Sequence, residues 1–331
     1  MLNGQTKSIG EGKGFLGLVR GAVFNILPVD ILPMPIIIIA DEMEKEVVAE
    51  IGKLGKVVFK PADLKKELKD ADVLIVRSAT KVTKDLIEGA DKLKVVARAG
   101  VGLDNVDADA CKAKGVRVIN TPGASTNAVS ELALCLMMAM LRNVQKAHHQ
   151  MKNGRWEKKA LTGREIAGKT LGIAGYGRIG ASLGAKAHAL GMRVIAYSPP
   201  PRPPEDDIVK YVDDLGSFLA QSDIISLHVP VLESTKNFIN AENIAKMKDG
   251  VYIVNTSRGE IVDEDALYEA LKSGKVAGAA LDVYKSEPYN GRLLELDNVC
   301  FTPHLGASTK EAQGRIGAEL VAALKSELSK K

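Results

Sequence analysis

Three segments late in the chain end in residues that could do chemistry together. They are Tyr252-Ile-Val-Asn-Thr-Ser-Arg258-Gly259, Ala279-Ala-Leu-Asp282-Val-Tyr-Lys-Ser-Glu287-Pro288 and Cys300-Phe-Thr-Pro-His304-Leu-Gly306. Arginine offers a rigid two-pronged clamp for a carboxylate. Histidine titrates near neutrality and can give or take a proton. A carboxylate beside an imidazole orients it and favours its protonated form. Reduction of a 2-keto acid at C2 needs this set: a cation for the acid's carboxylate, a proton donor for its carbonyl oxygen, and a group that holds the donor. Singly each residue is weak evidence, because loop His, Arg and Glu side chains are more often structural or solvated. Their weight comes from standing at successive strand ends, where open parallel sheets bind ligands.

A hydride donor is also called for, and Leu171-Gly-Ile-Ala-Gly175-Tyr-Gly177-Arg-Ile-Gly180 supplies its signature. A G-x-G-x-x-G alone is common by chance. Here it follows an apolar strand and opens a helix, the context a dinucleotide site requires. Gly175 permits the tight turn, Gly177 a close approach to pyrophosphate, and Gly180 close helix–strand packing. The free N–H groups at the helix start face the anion. The next strand, Val194-Ile-Ala-Tyr197, ends in Ser198 where an acid is expected for the adenosine ribose, and Arg202 lies four residues on. A neutral Ser198 near Arg202 would tolerate a 2′-phosphate. Equally, Ser198 binds the ribose hydroxyls of NAD and Arg202 is a solvated charge. NAD and NADP both stay open.

Alternating strands and helices must position these groups. Strands are expected at 36–40, 57–59, 73–76, 95–98 and 116–120, with helices at 42–54 and 62–69 and between the later strands. A second series follows at 171–174, 193–197, 224–227, 251–255, 276–283 and 299–302. This rhythm argues for parallel sheets covered by helices on both faces. Between the two series the pattern predicts one long helix, 125–153. Its middle, Glu131-Leu-Ala-Leu-Cys-Leu-Met-Met-Ala-Met-Leu141, is apolar nearly all round. Such a helix is buried against two surfaces, as at a domain junction or subunit interface. A final helix is expected over 309–328. The Pro-rich stretch 199–204 reads as a rigid loop.

The 331 residues suggest about two domains, and 46% hydrophobic residues suffice for full cores. The net charge of +4 is thinly spread and aromatics are only 4%, which argues against nucleic-acid binding. Cys111, Cys135 and Cys300 are far apart, with no zinc or redox spacing, so they read as reduced cysteines of a cytosolic protein and no metal is expected. The most apolar stretch, 15–40, is interrupted by Arg20, Asp30, Pro28, Pro33 and Pro35, so it reads neither as a membrane span nor as a secretory signal. Residues 1–33 read as an upstream extension, disordered or a misplaced start.

The segments Asn255-Thr-Ser-Arg-Gly-Glu-Ile-Val-Asp-Glu264, Asp282-Val-Tyr-Lys-Ser-Glu-Pro288 and Thr302-Pro-His-Leu-Gly-Ala-Ser-Thr309 resemble those of the D-isomer-specific 2-hydroxyacid dehydrogenases. The resemblance runs from about residue 36 to 325. It implies two doubly wound α/β domains: a flavodoxin-like substrate domain (34–125 plus 308–331) and an inserted Rossmann-type NAD(P) domain (126–307). It implies His304 as acid/base, Glu287 as its partner and Arg258 as the substrate clamp. Arg178 and Ile179 would meet the pyrophosphate, and Asp282 the nicotinamide end. Val229, Thr256, Ser257, Gly306 and Ala307 would complete the cofactor site. A homodimer is implied as well.

Within that family, Ala97-Arg-Ala-Gly-Val-Gly-Leu-Asp-Asn-Val-Asp107 and His304-Leu-Gly-Ala-Ser-Thr-Lys-Glu-Ala-Gln313 resemble short-form D-3-phosphoglycerate dehydrogenases. On that reading Arg77 and Ser78 meet the substrate, and the Gly100–Val101–Gly102 backbone meets its carboxylate. Arg77 capping a strand end is the bland alternative. The chain stops soon after its last helix, so serine feedback through added C-terminal domains is not expected. Two other readings stand beside this one: an NADPH-dependent glyoxylate/hydroxypyruvate reductase, and a cofactor-sensing binding protein like the corepressors of this fold. Formate dehydrogenase is disfavoured, because removing hydride from formate needs no acid/base pair.

Overall fold

Short β-branched runs form the strands, and in the middle of each sheet they are buried on both faces, as parallel sheets under two helical layers must be. The computed structural model describes residues 34–330, so the expectations for residues 1–33 lie outside the described residues. The first sheet contains β1 (Ile36–Ile39), β2 (Lys56–Phe59), β3 (Val73–Val76), β4 (Val95–Arg98) and β5 (Arg117–Asn120). All are parallel, in the order β2-β1-β3-β4-β5. That is the flavodoxin-like doubly wound order, with its switch point between β1 and β3. The helices between these strands are α1 (Lys45–Gly52), α2 (Leu64–Glu67), α3 (Lys84–Glu88) and α4 (Ala108–Ala113).

Two helices, α5 (Thr126–Leu141) and α6 (Val144–Lys152), lead to the second sheet. A single helix over 125–153 was expected, and this is corrected. Asn143 takes a left-handed conformation (φ 53°) and ends the run. Asparagine tolerates that conformation better than other side chains with a Cβ. The apolar face of α5 (Leu136, Met137, Met140, Leu141) packs on Leu171, Ile173, Ile224 and Val254 of the second sheet.

That sheet has seven parallel strands: β6 (Thr170–Ala174), β7 (Arg193–Tyr197), β8 (Val209–Tyr211), β9 (Ile224–Leu227), β10 (Val251–Asn255), β11 (Val276–Leu281) and β12 (Val299–Phe301). Their order is β12-β11-β10-β9-β6-β7-β8, the Rossmann arrangement with its switch point between β6 and β9. Strand β8 was not foreseen. Three residues, Val-Lys-Tyr, carry too little alternation to be read as a strand. The helices are α7 (Arg178–Ala189), α8 (Leu215–Gln221), α9 (Ala241–Lys246) and α10 (Glu264–Ser273).

The last helix, α11 (Lys310–Leu328), leaves the second sheet and returns to the first. Its Ile316, Leu320, Val321 and Leu324 pack on Ile37, Ile39, Val95 and Ala97. Each buried aliphatic side chain contributes about 1.5–3 kcal/mol. Thr309 caps the helix by accepting from the Ala312 N–H (3.1 Å). The return matters to the site, because it brings Gln313 onto the carboxyl end of β3.

Candidate active site

The carboxyl ends of β10, β11 and β12 carry the three groups singled out above. His304 Nδ1 lies 2.9 Å from Glu287 Oε2 and 3.1 Å from Oε1. That contact leaves Nε2 as the ring nitrogen available to a substrate. His304 takes φ 56°, an uncommon conformation for a residue with a Cβ. Asp282 holds it there. One Asp282 oxygen accepts from Thr302 Oγ1 (2.6 Å) and the Leu305 N–H (2.7 Å), and the other from the Gly306 N–H (2.9 Å). Burial raises the Asp282 carboxyl above the ordinary aspartate range, and those three hydrogen bonds oppose the rise. The loop bearing His304 is therefore closed around a buried carboxylate at both of its oxygens.

Tyr284 ties the three loops together. Its hydroxyl lies within hydrogen-bond distance of Thr302 O (2.8 Å) and Leu281 O (2.9 Å) and can donate to one of them, its N–H donates to Glu287 Oε1 (3.3 Å), and its backbone lies against Gly259. A Cβ at Gly259 would stand 1.9 Å from the Tyr284 carbonyl carbon, so the Arg258 loop can sit this close only with glycine there. Neither Tyr284 nor this contact was legible as part of the site.

Arg258 faces the other sheet. Its Nε donates to Asp104 Oδ2 (2.7 Å) and its Nη1 to the Ser257 carbonyl (2.6 Å). Its Nη2 lies against Gly102, where a Cβ would approach to 1.9 Å. Arg98, at the end of β4, covers Gly100 in the same way, with Nη1 only 1.6 Å from an added Cβ. Gly100 also has φ +146°, so glycine is required on both counts. The Val101 carbonyl between them accepts from Asn120 Nδ2 (2.6 Å).

Arg98 lies inside the Ala97–Asp107 segment, yet sequence reasoning gave it no role. Its Nε is buried without a hydrogen-bond partner among the described residues. Burial, and next the charge of Arg258, push its guanidinium below the usual arginine range. Arg77, the expected substrate contact, donates from Nη2 to Gln313 Oε1 (2.6 Å) and from Nη1 to the Glu42 carbonyl (3.1 Å). Its loop is built on Asp41, which accepts from the Arg77 N–H (2.6 Å) and from Thr80 Oγ1 (2.5 Å). Ser78 is exposed on that loop.

The dinucleotide turn has the geometry its glycines imply. Gly175 has φ +90° and touches the facing loop, where a Cβ would lie 2.6 Å from His228 O and 2.9 Å from Val229 Cγ1. A Cβ at Gly180 would lie 2.3 Å from Gly175 O, whereas one at Gly177 would meet nothing within 4 Å. Gly177 caps α7, so the N–H groups of Arg178, Ile179 and Gly180 have no partner within the helix. This open cradle suits a pyrophosphate. Val229 accepts from Ser257 Oγ (2.5 Å) at its carbonyl, and the Thr256 hydroxyl is buried without a partner among the described residues. Ser198 ends β7 half-buried, and its carbonyl accepts from Arg202 Nη1 (2.8 Å). Ala307 accepts from Gln313 Nε2 (2.8 Å) at its carbonyl. The residues present therefore fit a dinucleotide, with Arg178, Ile179 and Gly180 as the groups that would hold its pyrophosphate.

Comparisons with known proteins agree with this geometry. The family model described as D-isomer specific 2-hydroxyacid dehydrogenase, NAD binding domain, matches residues 134–306. A hydroxypyruvate reductase of Thermotoga maritima is 55% identical over 271 residues, covering 80% of this chain and 88% of that one. A D-3-phosphoglycerate dehydrogenase of Methanocaldococcus jannaschii is 47% identical over 85% of this chain, and the match spans 55% of that longer protein. A crystal structure of a glyoxylate reductase from Paecilomyes thermophila superposes with a TM-score of 0.84 at 32% identity, covering 90% of this chain and 97% of that one. No helix among the described residues is long and apolar enough to cross a membrane. With sequence, sheet order and dinucleotide cradle in accord, the chain belongs to the D-isomer-specific 2-hydroxyacid dehydrogenases, NAD(P)-dependent oxidoreductases that act on a CH–OH group.

Proposed function

We propose that the protein interconverts a D-2-hydroxy acid and its 2-keto acid, and that the acid carries a second anionic group, as 3-phosphoglycerate and 3-phosphohydroxypyruvate do. The observation that carries this is Arg98, a guanidinium with a buried, unpartnered Nε beside Arg258. Two neighbouring arginines are more than one carboxylate needs, and a buried N–H without an acceptor is costly. A substrate bearing both a carboxylate and a phosphate satisfies both.

When bound, the nicotinamide supplies or accepts hydride at C2. Arg258 and the Gly100–Gly102 backbone hold the carboxylate. His304 Nε2 gives a proton to the C2 oxygen during reduction and takes it back during oxidation, while Glu287 fixes the ring through Nδ1. Asp282, Tyr284 and Asp104 are positioning residues. Residues 126–307 are assigned to the cofactor and 34–125 plus 308–331 to the substrate.

Hydroxypyruvate is the second reading, favoured by the identity to the Thermotoga maritima reductase. Initial rates with NADH or NADPH and phosphohydroxypyruvate, hydroxypyruvate or glyoxylate decide between them. A preference for the phosphorylated acid supports the proposal, and a preference for the unphosphorylated acids overturns it. A homodimer is supported by the exposed apolar side chains of Met138, Val144, Met151 and Trp156 on and after α5 and α6. A reducing, cytosolic setting is supported by the three free cysteines.

A further inference from the structure

The end of β7 is where a Rossmann site meets the adenosine ribose, and here no acid occupies it. Ser198 stands in that place, with Arg202 close by. Arg202 is not a free cation. Its Nη1 donates to Asp213 Oδ1 (2.5 Å) as well as to the Ser198 carbonyl (2.8 Å). Its guanidinium also lies over the Tyr211 ring, 4.1 Å from the centroid. Tyr211 in turn packs edge-on against Tyr176 of the glycine turn, with ring centroids 5.8 Å apart. Arg202 is thus tied to the phosphate cradle but already neutralised.

Two further carboxylates are held in the same segment. Glu205 accepts from the Tyr211 N–H (2.8 Å), and Asp206 accepts from the N–H groups of Ile208 and Val209 (2.9 and 3.0 Å). Pairing with Asp213 raises the Arg202 guanidinium above its ordinary range and lowers the Asp213 carboxyl. Arg202 therefore sits beside the Asp213 carboxylate, with the charge of Glu205 acting on it as well.

We infer that Asp213 makes this site select NAD over NADP, by holding Arg202 in an ion pair that a 2′-phosphate would have to break. A phosphate monoester carries about −1.5 to −2 charges at neutral pH. Placed at Ser198, it would meet an arginine whose Nη1 is already engaged by Asp213 and by the Ser198 carbonyl. The 2′-hydroxyl of NAD needs only a hydrogen-bond partner, and a serine hydroxyl both donates and accepts. The inference rests on the dinucleotide seat at Gly175–Gly180 and is independent of which hydroxy acid is used.

The test is a fluorescence titration of the protein with NADH and with NADPH, without substrate. Wild type should bind NADH at least about tenfold more tightly, a difference of ~1.4 kcal/mol. Asp213→Asn frees Arg202 and should tighten NADPH by about tenfold, with little change for NADH, which also reports that the variant is folded. Adding Arg202→Ala to Asp213→Asn should abolish the gain. Equal or tighter NADPH binding by wild type overturns the inference. So does an unchanged ratio in Asp213→Asn, or a gain that survives the loss of Arg202. Because no keto acid is present, the wrong substrate in the proposed function leaves this result untouched.

Discussion

Arg258 Nε lies 2.7 Å from Asp104 Oδ2, and the two residues stand on loops that follow strands of different sheets. The pair spans the cleft and aims the remaining edge of the guanidinium, Nη2, at Gly102. Asp104 therefore positions the clamp that a substrate carboxylate must find. Asp104→Asn keeps the shape and removes the charge. We expect kcat/KM to fall about tenfold, mostly through KM, because ground-state placement of the clamp is what is lost. Steady-state kinetics with a saturating dinucleotide checks this, and an unchanged or lower KM refutes the positioning role.

His304→Ala removes the side chain proposed above to carry the proton to and from the C2 oxygen. Turnover should fall by about 10²–10⁴-fold, the usual worth of a positioned acid/base. NADH affinity should stay within about threefold, since the imidazole is tied to Glu287 and not to the dinucleotide cradle. Persistence of near-normal turnover would remove His304 from the mechanism.

Arg98 discriminates between the two substrate readings. In Arg98→Met, kcat/KM for phosphohydroxypyruvate should drop about 100-fold, because a desolvated charge contact is lost. Hydroxypyruvate, which has one anionic group, should be affected far less. Parallel losses on both substrates would show that Arg98 shapes the Gly100 loop and does not read a second anion.

His228 sets a pH dependence of stability. Burial pushes its imidazole down to about 4, and its Nε2 meets Ser226 Oγ at 2.8 Å. Unfolded histidine titrates near 6.5, so between about pH 6.5 and 4 the unfolded chain holds a proton that the folded one refuses. The contribution is present above pH ~6.5 and is lost as the pH falls toward 4, up to about 3 kcal/mol. Urea midpoints at pH 7 and pH 5 should diverge for wild type and converge in His228→Gln. Equal slopes in the two proteins would sink this assignment.

Short-range patterns were legible and long-range pairings were not. Gly175, Gly177 and Gly180 announce themselves because a turn, a close approach and a helix contact fall within six residues. Arg258, Glu287 and His304 stand just beyond strands whose apolar runs mark where they end. Nothing in the sequence couples Asp104 to Arg258, 154 positions apart, or Gln313 to Arg77, 236 apart. Such contacts exist only once α11 has crossed back and the two sheets face each other. Arg98 escaped because its significance lies in what it lacks, a partner for a buried nitrogen. The break at Asn143 escaped because apolar periodicity continues through it, while one left-handed residue redirects the chain.

The division of the site between two sheets has a mechanical consequence. Glu287, His304 and Arg258 ride on the seven-stranded sheet, whereas Arg98 and Gly100–Gly102 ride on the five-stranded one. The backbone passes between the sheets only twice within 35–330, once into α5 and once into α11, so a hinge bend about those two crossings is the simplest relative motion available. Opening such a hinge would part Arg258 from Gly102 and Asp104, yet leave His304 on Glu287. Under such an opening the proton-transfer pair would stay assembled while the anion grip came apart.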